Sequence, residues 1–134
     1  MNKLILDATD STPAVTLDHL ENKFEISGEA SPEDSKLFFS ALFTWLDQYK
    51  NHLYFINNET NTKQDLIFTF HLNYVSSSAI KYTYNFLQQI EELKPLCHSI
   101  VIRWLFDKDD SDMEDNGKEF ATMVNLPFVI EQVP

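Results

Sequence analysis

The clearest pattern in the chain is an apolar stripe that recurs every three or four residues in its first half. Its members are Leu37, Phe38, Ala41, Leu42, Trp45, Leu46 and Tyr49. This spacing places large side chains on one face of an α-helix. The preceding Ser31-Pro32-Glu33-Asp34 combines an N-cap residue, a proline suited to the first turn and two acids that favour the positive end of the helix dipole. The sequence therefore predicts a helix that begins in this tetrapeptide.

Alternating large apolar residues predict the strands. Two short runs separated by a turn near Asn22 are typical of a hairpin. A longer run that ends at Tyr74 has an apolar residue at every second position, as on the buried face of a strand. The polar stretch Asn57–Gln64 is interpreted as an exposed connection. The predicted strands are Ala14–Asp18, Lys23–Ser27, Leu66–Tyr74, Ser99–Asp107 and Phe128–Val133.

Two further helices are predicted between the later strands. One carries an apolar stripe from Ala79 to Leu93 and stops before Pro95. The other begins at Ser111-Asp112-Met113-Glu114, which has the spacing of a capping box. The order of elements predicts an α/β fold in which three main helices cover a mixed sheet of five to six strands with an N-terminal hairpin. Residues 1–134 are expected to form a single domain.

Charge and composition limit the possible partners. Lys and Arg total 10 against 21 Asp and Glu, so the net charge is −11. This charge opposes binding to nucleic acid or to anionic membranes and favours a protein partner. No apolar run approaches the roughly 20 residues of a membrane-spanning helix. Because Cys97 is the only cysteine and no signal peptide is recognised, a cytoplasmic protein is expected.

The scarcity of glycine excludes several kinds of site. Only Gly28 and Gly117 occur in the chain. The Rossmann fingerprint, the P-loop and the nucleophile elbow each need two or more glycines close together. No cofactor and no catalytic residue are therefore predicted.

The acidic run from Asp107 to Glu119 is the strongest candidate for a metal site. Hard cations bind clustered carboxylates. A calcium loop that began at Asp107 would have Lys118 where the bidentate glutamate is needed, and a loop that began at Asp112 would have Met123 there. The sequence therefore disfavours specific metal binding. It also disfavours a metal-dependent enzyme that uses residues 107–119.

The histidines and the cysteine show no catalytic spacing. His19, His52, His71 and His98 are scattered, without the i, i+4 pairing of a zinc hydrolase. Cys97 lies beside His98 in a predicted connection after Pro95, with nothing nearby in sequence to form an oxyanion hole. The thiol is interpreted as an ordinary half-buried group.

Three consecutive serines, Ser76, Ser77 and Ser78, lie between a predicted strand and the second predicted helix. A serine in this place is commonly only an N-cap, whose hydroxyl accepts a backbone hydrogen bond. Alternatively, a phosphoryl group here would add nearly two negative charges at a helix N-terminus, where amides and dipole can hold it without unfolding the domain. The residues by themselves leave both interpretations open.

Several segments in order along the chain carry a family resemblance. They are Thr12-Pro13-Ala14-Val15, Ile26 to Glu33, Phe38-Phe39, Trp45 to Tyr49, Tyr74 to Lys81, and Arg103-Trp104 before the acidic run. Together they resemble the SiaC family of bacterial regulatory phosphoproteins. The Ser-Pro-Glu helix start, the serine turn that ends in Lys81 and the Trp-acidic segment make the resemblance specific.

The resemblance implies a domain similar to the anti-sigma-factor antagonist (STAS) fold. Such a protein is phosphorylated by a serine/threonine protein kinase and dephosphorylated by a PP2C-type phosphatase. Its state controls an effector, in the best-known pathway a diguanylate cyclase of cyclic di-GMP signalling that governs biofilm formation and aggregation. Alignment back from Ile80 and Lys81 places the phosphoacceptor on Ser77. Because Ser76 and Ala79 differ from the family pattern, Ser76 and Ser78 stay as alternatives.

The resulting hypothesis is a non-enzymatic partner switch. Tyr74, Ser76, Ser77, Ser78 and Lys81 are expected to contact the effector, and phosphate on Ser77 is expected to abolish docking. An alternative keeps the switch but directs it at an anti-sigma factor or a kinase module, as in other domains of this fold. A passive scaffold, with the serine turn acting only as a cap, is a further alternative.

Overall fold

The strands form one six-stranded sheet in which sequence neighbours are also spatial neighbours. The computed structural model of the protein describes residues 1–134. Its strands are β1 (Leu4–Leu6), β2 (Ala14–Asp18), β3 (Lys23–Ala30), β4 (Gln64–Val75), β5 (Cys97–Phe106) and β6 (Phe128–Gln132). Strands β1 to β3 pair antiparallel, and β3 to β6 pair parallel. The predicted mixed α/β fold is confirmed, and its likeness to the STAS fold stays a prediction.

Each parallel crossover carries one helix, and all three helices lie on the same face of the sheet. They are α1 (Ser35–Thr60), α2 (Ser77–Glu91) and α3 (Ser111–Met123), and a short 3-10 helix at Lys94–Leu96 leads into β5. The ring contacts between sheet and helices are Phe24 to Trp45, Phe70 to Phe86, and Trp104 to Phe120. The opposite face of the sheet is open, and Ile67 on it is 54% exposed.

The packing of α1 against α2 determines where the two helices begin. They run parallel, with Phe39 stacked on Tyr82 at 5.9 Å between ring centroids and Phe43 near Phe86 at 6.3 Å. Burial of one large apolar side chain contributes about 1.5–3 kcal/mol. These contacts hold the two helix N-termini level, at the carboxyl ends of the strands that precede them.

Helix α1 begins and ends later than predicted. Its N-cap is Asp34, whose side chain accepts a hydrogen bond from the Leu37 amide at 3.0 Å, so the predicted start at Ser31-Pro32 is wrong. The helix continues to Thr60, so the connection predicted at Asn57–Gln64 is also wrong. The polar residues there form an exposed last turn. The helix ends where Asn61 adopts the left-handed conformation at φ 54°.

The buried stripe of α1 also differs at its start. Leu37 is 69% exposed and Ala41 is exposed, whereas Phe39 is buried. Ser35, the first residue of the helix, faces inward at 6% exposure. The buried stripe therefore starts with Ser35, Phe39 and Leu42. Phe39 takes the place of the predicted Phe38, which is only partly buried.

Three smaller differences concern the ends of elements. Strand β1 is only three residues long and was not predicted. The N-cap of α3 is Asp110, whose side chain accepts from the Met113 amide at 3.1 Å, rather than Ser111. Cys97 and His98 begin β5 and do not lie in a connection.

None of the helices combines the length and hydropathy that a bilayer span requires.

Candidate functional site

The serine cluster lies at the carboxyl edge of the parallel strands, where two helices begin side by side. The Ser76 amide donates to the Ala30 carbonyl at the end of β3, at 2.9 Å. Ser35 Oγ of α1 lies 2.8 Å from Ser78 Oγ of α2. The positive ends of two helix dipoles are therefore adjacent. This edge is also the place where open α/β sheets usually bind their ligands.

The three serines differ in their hydrogen bonds. Ser76 is the N-cap of α2, and its Oγ accepts from the Ala79 amide at 3.2 Å. Ser78 Oγ is held by the buried Ser35 and lies 3.4 Å from Ser76 Oγ. Ser77 is exposed, and its hydroxyl forms no hydrogen bond within the protein. Ser77 is therefore the one serine of the cluster with an unengaged hydroxyl.

Hydrogen-bond donors and a cation surround Ser77. Backbone hydrogen bonding in α2 starts with the Ile80 amide, which donates to the Ser76 carbonyl at 2.9 Å, so the amides of Ser77 and Ser78 have no backbone acceptor. Lys81 lies one helical turn after Ser77, on the same face of the helix. Lys81 is exposed, and its Nζ lies 5.7 Å from the ring centroid of the neighbouring Tyr82. No carboxylate forms a salt bridge with it.

Tyr74 is exposed because of a β-bulge. The alternation of β4 predicted a buried side chain, which is wrong. Gly28 pairs with Leu72 but Glu29 pairs with Tyr74, so Asn73 is an extra residue in the ladder. One extra residue reverses the faces of those that follow, and Tyr74 becomes 53% exposed. Gly28, at φ +115°, adopts the backbone conformation that glycine favours where the register shifts.

Helix α2 carries no acidic side chain before its last residue, Glu91. From Ser77 to Ile90 the only charged residue is Lys81, in a protein with a net charge of −11. Ile80, within this stretch, is 38% exposed. Tyr84 is partly buried and accepts a hydrogen bond from Gln88 at 2.9 Å. Ile80 and Tyr84 were not identified as site residues from the sequence, although the absence of acids along this stretch is a signal that points to them.

The acidic run is divided between separate structural roles. Asp107 lies 2.9 Å from His71 Nε2, and Asp110 caps α3. Glu114 forms an i, i+4 pair with Lys118 at 3.5 Å. No three His, Cys, Asp or Glu side chains converge closely enough to hold a metal ion.

Three groups with shifted pKa values, His52, Asp65 and Cys97, lie at the amino edge of the sheet, away from the serines. Burial lowers the pKa of His52, and His19, whose ring centroid is 4.9 Å away, adds to this effect. Hydrogen bonds from Ser99 and His98 lower the pKa of Asp65.

Cys97 is buried at the start of β5. Burial raises the pKa of its thiol to about 11. The thiolate, which is the nucleophilic form, is therefore scarce at neutral pH.

Comparison with known proteins identifies the family. A family model described as SiaC family regulatory phosphoprotein matches residues 6–133. The chain belongs to the SiaC family. An uncharacterized protein of Pseudomonas aeruginosa strain UCBPP-PA14 is 24% identical over 131 residues, which cover 98% of this chain and 97% of that protein.

Solved SiaC structures share the fold over nearly the whole chain. SiaC of Pseudomonas aeruginosa superposes with a TM-score of 0.79 at 23% identity, covering 99% of this chain and 100% of that one. A chain in the crystal structure of the diguanylate cyclase SiaD in complex with its activator SiaC, also from Pseudomonas aeruginosa, gives a TM-score of 0.80 at 23% identity. That match covers 97% of this chain and 99% of the other.

Proposed function

We propose that this SiaC-family protein is a non-enzymatic switch whose binding to a diguanylate cyclase is controlled by reversible phosphorylation of Ser77. A serine/threonine protein kinase adds the phosphate and a PP2C-type phosphatase removes it, in the cytoplasm. The observation that carries the proposal is the exposed, unbonded hydroxyl of Ser77 between two serines that are engaged in the structure.

The fold can accept a phosphate at this position. The unpaired amides of Ser77 and Ser78 and the ammonium group of Lys81 are available as donors to a phosphoryl oxygen. A negative charge in the first turn is also favoured by the helix dipole. Neither the cap at Ser76 nor the Ser35–Ser78 contact has to break. Phosphorylation therefore changes the surface charge and leaves the domain folded.

The unmodified docking surface consists of Tyr74, Ile80, Lys81 and the serine turn. Exposed tyrosine and isoleucine, beside a stretch of α2 that has no acid from Ser77 to Ile90, are favourable for burial against a partner, because few charges lose their hydration. Phosphate on Ser77 would place close to two negative charges within this surface. Its desolvation, together with repulsion from any acidic group of the partner, opposes docking.

The proposed control and the proposed class of partner rest on the SiaC family and on SiaC of Pseudomonas aeruginosa. The description of the SiaC family as regulatory phosphoproteins supports phosphorylation as the control. Pseudomonas aeruginosa SiaC occurs in complex with SiaD as its activator, which supports a diguanylate cyclase as the effector. The same surface could serve another effector without any change in the switch.

Isothermal titration of the cyclase with Ser77→Asp and Ser77→Asn proteins tests the charge mechanism. The two side chains have nearly the same shape, and only Asp carries a charge. Loss of one or two charge-assisted contacts predicts that Asp weakens binding roughly a hundredfold, equivalent to about 2.7 kcal/mol, whereas Asn changes it by less than about fivefold. Equal affinities for the two variants would contradict the mechanism. Co-purification of an anti-sigma factor or a kinase module in place of a cyclase would replace the proposed effector.

A further inference from the structure

The first half of β5 has an unpaired edge on the side of β6. Strand β5 is ten residues long and β6 only five, and their pairing starts at Ile102 with Phe128. The Ile102 amide donates to Pro127, and the Phe106 carbonyl accepts from Val133. From Ile100 to Phe106, beyond the irregularity at His98, the even-numbered residues of β5 therefore direct their N–H and C=O groups towards β6. By the same alternation, both backbone groups of Ile100 point to this side, where no backbone partner is present.

The sequence itself prevents β6 from extending to Ile100. Another step of the ladder would need the Asn125 carbonyl as acceptor and an N–H at position 127 as donor. Position 127 is proline, which has no N–H. The Asn125 carbonyl is already taken by Lys94 Nζ at 2.9 Å. Both partners that Ile100 lacks are therefore removed by identifiable residues.

A cavity of about 490 Å³ lies along this unpaired edge. Its walls include Ile100, Val101, Leu126 and Pro127 as apolar residues, with Lys94 as the cation. Ile100 is only 4% exposed, so its unpaired backbone groups reach solvent only through this cavity. The site thus combines an apolar wall with one free donor and one free acceptor.

We propose that this edge, called here the β5 slot (residues Cys97–Val101 and the wall Asn125–Pro127), binds an extended peptide segment of a partner protein that carries apolar side chains at alternate positions. An extended backbone offers the N–H and C=O that Ile100 lacks, and strand addition to a sheet edge is a common mode of peptide recognition. The five residues of the slot span roughly 16 Å.

The apolar wall, rather than charge, selects the side chains of that peptide. Asp65 is occupied by His98 and Ser99, and Glu91 accepts a hydrogen bond from the Asn125 amide. Both carboxylates keep their negative charge in these hydrogen bonds, so Lys94 at the wall does not make the slot positive. The slot lies at the amino edge of the strands, opposite Ser77, so it does not depend on the proposed phosphorylation.

Amide hydrogen exchange of the 15N-labelled full chain is the first measurement. The Ile100 amide is expected to exchange at least about tenfold faster than the Ile102 amide, although both residues are buried. The probe is a capped peptide of about seven residues in which valine and threonine alternate. It should slow exchange at Ile100 and shift the resonances of Ile100 and Leu126. The same peptide with methylated backbone nitrogens, which cannot donate, should do neither.

The double variant Lys94→Ala/Pro127→Ala is designed to close the slot from within. It frees the Asn125 carbonyl and restores an N–H at position 127, so β6 can extend alongside Ile100. Protection of the Ile100 amide should rise about tenfold without peptide, and the peptide-induced shifts should disappear. Lys108→Ala, at an exposed lysine near the other edge, is the control and should behave as the wild type.

Three outcomes would overturn the proposal. The first is an Ile100 amide as protected as that of Ile102 in the peptide-free wild type, a comparison that does not depend on any variant folding. The second is peptide-induced shifts that persist in the double variant or with the methylated peptide. The third is protection at Ile100 that rises with protein concentration, which would assign the slot to a second copy of the chain.

Discussion

Replacement of Gly117 by alanine tests how closely α3 packs on the sheet. An added Cβ would lie 2.7 Å from Nε1 and 2.9 Å from Cγ of Trp104, well inside the roughly 3.5–4.0 Å of a favourable contact. Trp104 has no room to retreat, because its fully buried ring contacts Phe70 and Phe120, each at 5.4 Å between centroids. Its indole N–H also donates to the Met113 carbonyl at 3.0 Å.

The expected change in the free energy of unfolding combines two destabilising effects and one stabilising effect. Overpacking of a full core costs about 1–3 kcal/mol. A shift of α3 by about 1 Å would weaken the hydrogen bond of the buried indole, which adds about 1–3 kcal/mol if the bond is lost. Alanine recovers about 1 kcal/mol of helix propensity over glycine. The net expectation is a decrease of about 1–5 kcal/mol in the free energy of unfolding.

Urea unfolding followed by far-UV circular dichroism measures this change. The midpoint should fall while the slope stays the same, since the surface exposed on unfolding hardly changes. Asp115→Ala, at an exposed position of the same helix, is the matched control and should change stability by less than about 0.5 kcal/mol. A Gly117→Ala protein as stable as the wild type would refute the close contact with Trp104.

The remaining predictions concern the cap, a histidine and the thiol. Ser76→Ala should lower the free energy of unfolding by about 1 kcal/mol because it removes the N-cap of α2, and Ser77→Ala should change it by less than about 0.5 kcal/mol; a larger loss in urea unfolding for Ser77→Ala would reverse the assigned roles. Burial, with a smaller effect of His19, lowers the pKa of His52 in the folded state below its ordinary value of 6.5. The unfolded chain therefore binds a proton at His52 more readily than the folded protein does, so this contribution to stability is fully present above about pH 6.5 and decreases as the pH falls below it. Between about pH 7.5 and pH 5.5 the urea midpoint of His52→Gln should fall less than that of the wild type. An equal fall would contradict the assignment. With its pKa raised to about 11 by burial, the Cys97 thiol should react with iodoacetamide at least about tenfold more slowly in the folded protein than in the urea-unfolded chain, and equal rates would show an accessible thiolate.

Sequence periodicity predicted the elements that have one continuous buried face. The stripe that includes Ala79, Phe86 and Ile90 located α2, and the alternation from Leu66 to Leu72 located β4. These two predictions were sufficient to place the serine cluster at a strand-to-helix turn. They succeeded because side-chain spacing follows directly from the geometry of helices and strands.

Features that depend on pairing between distant segments were not predictable in this way. The exposure of Tyr74 results from a bulge opposite Gly28, and a register shift between two strands leaves no mark on the periodicity of either one.

The three serines present the same difficulty. Each of them is a competent N-cap by its chemistry. In the structure Ser76 is the N-cap, and what separates Ser78 from Ser77 is a hydroxyl contact with Ser35, 43 residues away along the chain. The late start of α1, which brings Ser35 into this contact, was itself mispredicted because Ser31-Pro32 has the composition of a helix start.

Phosphate mapping on the serine cluster is the most direct test of the proposed switch. The protein is incubated with its serine/threonine kinase and ATP, and the modified residue is located by fragment-ion mass spectrometry. The predicted result is a single phosphate on Ser77, removable by a PP2C-type phosphatase, kept in Ser78→Ala and absent from Ser77→Ala. Full phosphorylation of the Ser77→Ala protein, carried by Ser76 or Ser78, would contradict the assignment of Ser77 as the switch.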